Sequence, residues 1–205
     1  MSRALKLLIS IAILCITALL PGDGVSASRT LTGDLNGNEA PEQYLLAGHR
    51  LTVRERETVL WQSPTAWRVD SFSLSDADND GTVNLVLSLW KEGSFGQVKP
   101  FWEDGEDRSF KNHLFVYRLS GSTLRPVWCS SNLDRPIVSF AIRDVDADGR
   151  NELVVEEGSY RRVTGQRYAV DETKPARSTV WRWDGWGFTE GLSQERPFLR
   201  ASANK

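Results

Sequence analysis

Asp144-Val145-Asp146-Ala147-Asp148-Gly149-Arg150-Asn151-Glu152, running into Leu153-Val154-Val155, is the stretch whose reading decides the fold of this chain. An earlier stretch, Asp76-Ala77-Asp78-Asn79-Asp80-Gly81-Thr82-Val83-Asn84, runs into Leu85-Val86-Leu87 with the same grammar. Carboxylates at positions one, three and five, glycine at six and an oxygen side chain at nine make a donor set for Ca²⁺, which takes about six to eight oxygens. Without a cation, that much like charge in so short a stretch repels itself. The glycine admits φ > 0, so that the backbone carbonyl at position seven, Thr82 or Arg150, turns toward the same ion.

A helical EF-hand opens in the same way but needs a bidentate Glu at position twelve and a helix on each side. Position twelve here is Leu87 or Val155. The flanks, residues 69–74 and 137–142 before the loops and 85–89 and 153–155 after them, are short apolar runs rich in β-branched residues, the pattern of strands. The spacing therefore predicts cation loops between β-strands. The alternative is a polar Asp/Gly hairpin turn without metal.

The same unit recurs, so the chain is expected to be all-β. After each loop come a strand, a second strand (51–53, 114–117 or 179–182), a turn and a third strand (58–61, 124–128 or 186–188), then the strand that leads to the next loop. The first loop is worn: Asp34, Asn36, Asn38 and Glu42 keep oxygens at positions one, three, five and nine, but Glu39 stands where glycine is wanted. A displaced turn is expected there, with calcium or an ordinary turn left open. Three four-stranded antiparallel units result, at about 28–64, 65–131 and 132–193, with the tail 194–205 echoing the start of a fourth at Arg196-Pro197-Phe198-Leu199. Four-stranded units repeated in this way suggest propeller-type blades.

Residues 76–87 and 144–155 resemble the FG-GAP/VCBS repeats of integrin α-subunit propellers and of many secreted bacterial proteins. The resemblance is specific at the loops and the strands after them, and looser elsewhere over 28–193. It implies calcium on Asp76, Asp78, Asp80 and Asn84 and on Asp144, Asp146, Asp148 and Glu152. Where the family usually has Asp at position nine, this chain has the shorter Asn84 and the longer Glu152, which bears on affinity. Propellers typically have about four to eight blades. Three blades and a stub leave open a compact fan closed by its termini, an oligomer completing the ring, or a degenerate fourth blade.

Residues 1–27 have the form of a secretory signal: Arg3 and Lys6, an apolar run over 7–20, and the small-residue site Val25-Ser26-Ala27. A secreted or cell-surface address follows, with no membrane span after cleavage; an uncleaved anchor is the alternative. Cys129 is then the one remaining cysteine, expected as a small core residue, and calcium takes the place of a disulfide staple. The net charge of −2, with no basic stripe, argues against nucleic acid. His49 and His113 match no Ser/His/Asp or zinc spacing.

The insertion over 91–112 brings together Trp90, Phe95, Phe101, Trp102 and His113, the candidate ligand patch, since loops carry binding sites disproportionately. A second excursion spans 158–177. The expected function is a non-catalytic, calcium-stabilised module binding an extracellular protein or glycan. Alternatives are a polysaccharide-active hydrolase or lyase using carboxylates among Glu103, Asp104, Glu106, Glu156 and Glu157, or a purely structural envelope component.

Overall fold

The computed structural model describes residues 28–94 and 107–191. The signal at 1–27, the patch residues Phe95, Phe101 and Trp102, the acidic Glu103, Asp104 and Glu106, and the tail at 194–205 lie outside the described residues.

The described residues form β-strands joined by turns, with no helix. β1 (Arg29–Gly33), β2 (Glu42–Ala47), β3 (Arg50–Glu55) and β4 (Thr58–Gln62) make an antiparallel meander. β5 (Arg68–Ser75), β6 (Asn84–Glu92), β7 (Phe110–Ser120) and β8 (Thr123–Cys129) make a second, extended to six strands by the hairpin β11 (Tyr160–Thr164) and β12 (Arg167–Val170). β9 (Ile137–Arg143), β10 (Glu152–Glu157), β13 (Arg177–Trp183) and β14 (Phe188–Glu190) make the third. None of the three sheets closes on itself.

Burial explains the layering. In β2, Glu42, Tyr44 and Leu46 are buried and alternate with less buried neighbours, the signature of a sheet with one covered face. β6 is buried from Asn84 to Lys91, so it has neighbours on both faces. Its alternate residues divide between two cores. Leu85, Leu87 and Leu89 join Tyr44, Leu46, Leu51 and Val53 of the first sheet, while Val86 joins Leu114, Val116, Leu153 and Val155 against the third. The second sheet is therefore the middle layer. Each fully buried Leu or Val contributes about 1.5–3 kcal/mol relative to exposure. Trp61 packs against the first core, and Trp128 and Trp181 against the second.

The hairpin β11–β12 interrupts the third unit yet belongs to the second sheet. β12 runs parallel to β7, with Arg167 opposite Phe110, and the Phe110 N–H donates to the Gln166 carbonyl at 2.9 Å. The Tyr160 hydroxyl accepts from the Asn112 N–H at 3.2 Å and donates to the Leu133 carbonyl at 3.0 Å. Two sequence expectations change here. Cys129 reaches the surface on the edge strand β8 instead of entering the core, and the excursion at 158–177 is a docked hairpin.

Candidate metal centres

Each sheet carries a loop that opens on Asp between its first two strands, at 34–41, 76–83 and 144–151. The three loops share one internal hydrogen-bond scheme. At position one, Asp34 accepts from the N–H groups of Gly37, Asn38 and Glu39, Asp76 from those of Asp80 and Gly81, and Asp144 from those of Ala147 and Gly149. At position five, Asn38, Asp80 and Asp148 hold the N–H of position seven, which is Ala40, Thr82 or Arg150. At position nine, the buried Glu42, Asn84 and Glu152 hold the N–H of Leu35, Ala77 and Val145 at 2.9, 2.8 and 3.0 Å.

The backbone repeats as well. Positions four and six are left-handed in every loop: Gly37 and Glu39 in the first, Asn79 and Gly81 in the second, Ala147 and Gly149 in the third. The displaced turn expected from Glu39 does not occur. Glu39 itself adopts φ 66°, and Asp34 Oδ2 takes its N–H at 2.8 Å. One hydrogen bond to a carboxylate is enough to offset the ~1 kcal/mol cost of a left-handed L-residue.

Two loops gather carboxylates that could hold a metal ion: Asp76, Asp78 and Asp80, and Asp144, Asp146 and Glu152, the ligand oxygens of each group lying within 4.8 Å of one another. Asn84 instead commits its Oδ1 to Ala77, and Asp148 lies outside the third-loop group. An all-oxygen donor set suits a hard cation. The fit is best at Asp78. Its side chain is 8% exposed, and its Oδ1 is buried with no hydrogen-bond partner. Burial, and then the charge of Asp80, push the Asp78 carboxyl above the ordinary range. Burial also pushes Asp80 upward, but the Thr82 N–H and hydroxyl and the Arg118 guanidinium outweigh it and lower that pKa. In the third loop the Gly149 N–H is the main cause holding Asp144 below the ordinary value.

The spacing rule missed the residue facing each loop from the third strand. Arg118 Nη2 donates to Asp78 Oδ2 at 3.1 Å and also to Asp80. Arg182 Nη2 donates to Asp146 Oδ2 at 2.6 Å, with Nε 3.6 Å from Glu152 Oε1. By strand register these arginines stand next to Asn84 and Glu152, and Glu55 occupies the same place opposite Glu42. In the first loop the charges are reversed: the amides of Asn36 and Asn38 donate to Glu55 Oε1 at 3.2 and 2.7 Å. A charged residue one strand away from position nine was the available signal, but it appears only once the strands are paired.

The second and third loops touch. The Asn151 N–H donates to Asn79 Oδ1 at 2.6 Å, Asn79 Nδ2 donates to the Asn151 carbonyl at 3.1 Å, and Asn151 Nδ2 donates to the Asp76 carbonyl at 2.8 Å.

The candidate patch is corrected at its two described members. Trp90 is fully buried, its Nε1 donating to Asp70 Oδ2 at 2.6 Å and its ring stacked on Phe110 with centroids 6.2 Å apart. His113 is also fully buried, with Nδ1 3.1 Å from the Ser130 carbonyl. Apolar burial claimed both, because β6 and β7 extend further into the insertion than the sequence pattern suggested. Of the carboxylates considered for hydrolysis, Glu157 is buried and paired with Arg177 at 2.6 Å.

Among the described residues no helix is long and apolar enough to cross a membrane. Compared with protein-family models, curated proteins and solved structures, the chain finds no match.

Proposed function

We propose that this chain is a secreted, non-catalytic, calcium-stabilised repeat module of the FG-GAP/VCBS kind, its sheets serving as propeller-type blades and its surface binding a protein or glycan outside the cell. The observation that carries this reading is the loop scheme: one set of hydrogen bonds and one pair of left-handed positions, repeated between the first and second strands of each sheet. In the second loop the buried Asp78 Oδ1 is left without a hydrogen-bond partner, free for a cation.

Asp76, Asp78 and Asp80 would hold one ion, and Asp144, Asp146 and Glu152 another. A bound ion supplies charge neutralisation and a cross-link within the loop. The residues themselves shape the loop: position nine pins its entry, position one gathers its N–H groups, and the third-strand arginine offsets part of the acidic charge. Millimolar extracellular calcium would keep even weak sites filled. The signal-like sequence at 1–27 supports that address.

Calorimetric titration of the chelator-treated chain with calcium, with a melting curve at each end, tests this reading. Two sites and a raised melting temperature are expected. No heat and an unchanged melt would reduce the loops to polar turns.

A further inference from the structure

We propose that the groove between β8 and the β13–β14 turn binds an organic cation, an alkylammonium or guanidinium group. The groove has a volume of about 590 Å³ and is lined by Asp78 and Asp80, by Val127, Trp128 and Cys129 of β8, by Trp183 at the end of β13, and by the turn residues Gly185 and Trp186. Its charged lining residues are both acidic. Arg118 pairs with both carboxylates, so one positive charge faces two negative ones. Asp184, exposed within the turn, adds a further negative charge beside the groove.

The aromatic side is built rather than incidental. Trp186 is 86% exposed, an unusual placement for the largest apolar side chain. Its backbone is nonetheless fixed, because Asp184 Oδ1 accepts the N–H groups of Trp186 and Gly187 at 3.0 and 3.1 Å, and the Asp184 N–H donates to the Gly187 carbonyl at 3.0 Å. Gly185 takes φ +91°, and Gly187 lies so close to Trp128 that a Cβ would come within 2.6 Å of its Nε1. Trp128 and Trp183 both pack edge-on against Phe188, with centroids 5.5 and 5.3 Å away. Indole rings set beside two carboxylates that share one arginine favour a cation, since Trp is the best cation–π partner. A neutral sugar would use the rings but leave the acidic charge unanswered.

The loop metal proposed above would draw on the same Asp78 and Asp80 carboxylates and oppose the organic cation, so the test is run in chelator, with the calcium titration as a separate readout. Intrinsic tryptophan fluorescence of the full chain is titrated with tetramethylammonium chloride and with a tetra-arginine peptide, against sodium chloride at matched ionic strength. The expected result is a saturable change beyond the sodium control, lost in Trp186→Ala and weakened at least threefold in Asp80→Asn, with both variants melting cooperatively. Binding of the peptide more than tenfold tighter than tetramethylammonium would assign the cation to a partner polypeptide; equal binding would assign it to a small free cation. A response retained in Trp186→Ala, no response beyond sodium chloride, or a response to maltoheptaose but to neither cation would overturn the proposal.

Discussion

Asn79 and Asn151, in the loops of different sheets, exchange a reciprocal pair of hydrogen bonds: the Asn151 N–H to Asn79 Oδ1 at 2.6 Å, and Asn79 Nδ2 to the Asn151 carbonyl at 3.1 Å. The two acidic loops are therefore one mechanical object. Asn79→Gly keeps the left-handed backbone of position four but removes both bonds. It should lower stability by about 1–2 kcal/mol, since each bond contributes about 1 kcal/mol. It should also weaken calcium binding at the third loop, which it does not enter. Urea denaturation and calorimetry of Asn79→Gly beside Asn151→Ala check this; an unchanged third-loop affinity would show the loops to be independent.

Arg118 pairs with Asp78 and Asp80, so a cation held at the second loop would compete with it for both carboxylates. Arg118→Met keeps the aliphatic stem and removes the guanidinium. Without calcium it should destabilise the chain through carboxylate repulsion. With calcium it should bind several-fold to about tenfold more tightly, roughly the ~1 kcal/mol by which a nearby like charge disfavours an ion. A loss of calcium affinity would mean that Arg118 positions the carboxylates more than it opposes the ion.

Ala147 holds φ 63° at a position where the second loop has Asn79 and the first has Gly37. Ala147→Asn should stabilise the chain by about 1 kcal/mol, because Asn tolerates the left-handed region better than Ala. Gly149→Ala, at φ +86° with open space around the added Cβ, should cost about 1–2 kcal/mol through backbone strain alone. Thermal melts of the two variants should move in opposite directions.

Burial pushes His113 down to about 4. Its folded pKa lies below the unfolded value near 6.5, so the unfolded chain takes up the proton first. The stability from neutral His113 is fully present above about pH 6.5 and is lost progressively as pH falls toward 4, a total of about 3 kcal/mol. Glu42 works the other way. Burial raises its pKa, so protonation on acidification favours the folded state. His113→Phe should flatten the stability curve between pH 6.5 and 4, and Glu42→Gln should raise stability at neutral pH. Denaturant titrations across that range measure both slopes.

Asp146→Ala removes a member of the third-loop cluster and the partner of Arg182. Calcium affinity and the calcium-dependent gain in melting temperature should fall together. If both survived, no ion would be held at that loop.

The strands were legible because their cues are local: the flanks of 144–152 alternate or run apolar, and the loop between them has its own turn chemistry. The two carboxylate groups were legible in part for the same reason: Asp76, Asp78 and Asp80 come together, and so do Asp144, Asp146 and Glu152, but Asp148 does not join them and Asn84 turns its Oδ1 to the Ala77 N–H. Arg118, Arg182 and Glu55 were not, since they reach the loops from a strand whose register is set only when the sheet forms. Trp90 and His113 were misplaced because aromatic residues near a long insertion read alike whether they face solvent or a later part of the chain: Trp90 packs edge-on against Tyr160 of the hairpin, and His113 is buried with Nδ1 against the Ser130 carbonyl. Glu39 shows a local rule giving way: the left-handed residue followed the Asp34 carboxylate, not the glycine.

The parallel contact of Arg167 with Phe110 carries a last consequence, for how the protein is made. A row of stacked repeats can fold one unit at a time as it leaves the ribosome. Here the middle sheet waits: β7 is synthesised long before the hairpin that completes its edge, and Lys111 stays without the two tyrosine rings, Tyr160 and Tyr168, that lie 5.1 and 5.2 Å from it in the finished molecule. The third unit returns its own chain to the second before closing its sheet, so the layers are laced rather than stacked. Translation halted before residue 160 would leave a protease-sensitive intermediate, not a shorter working protein.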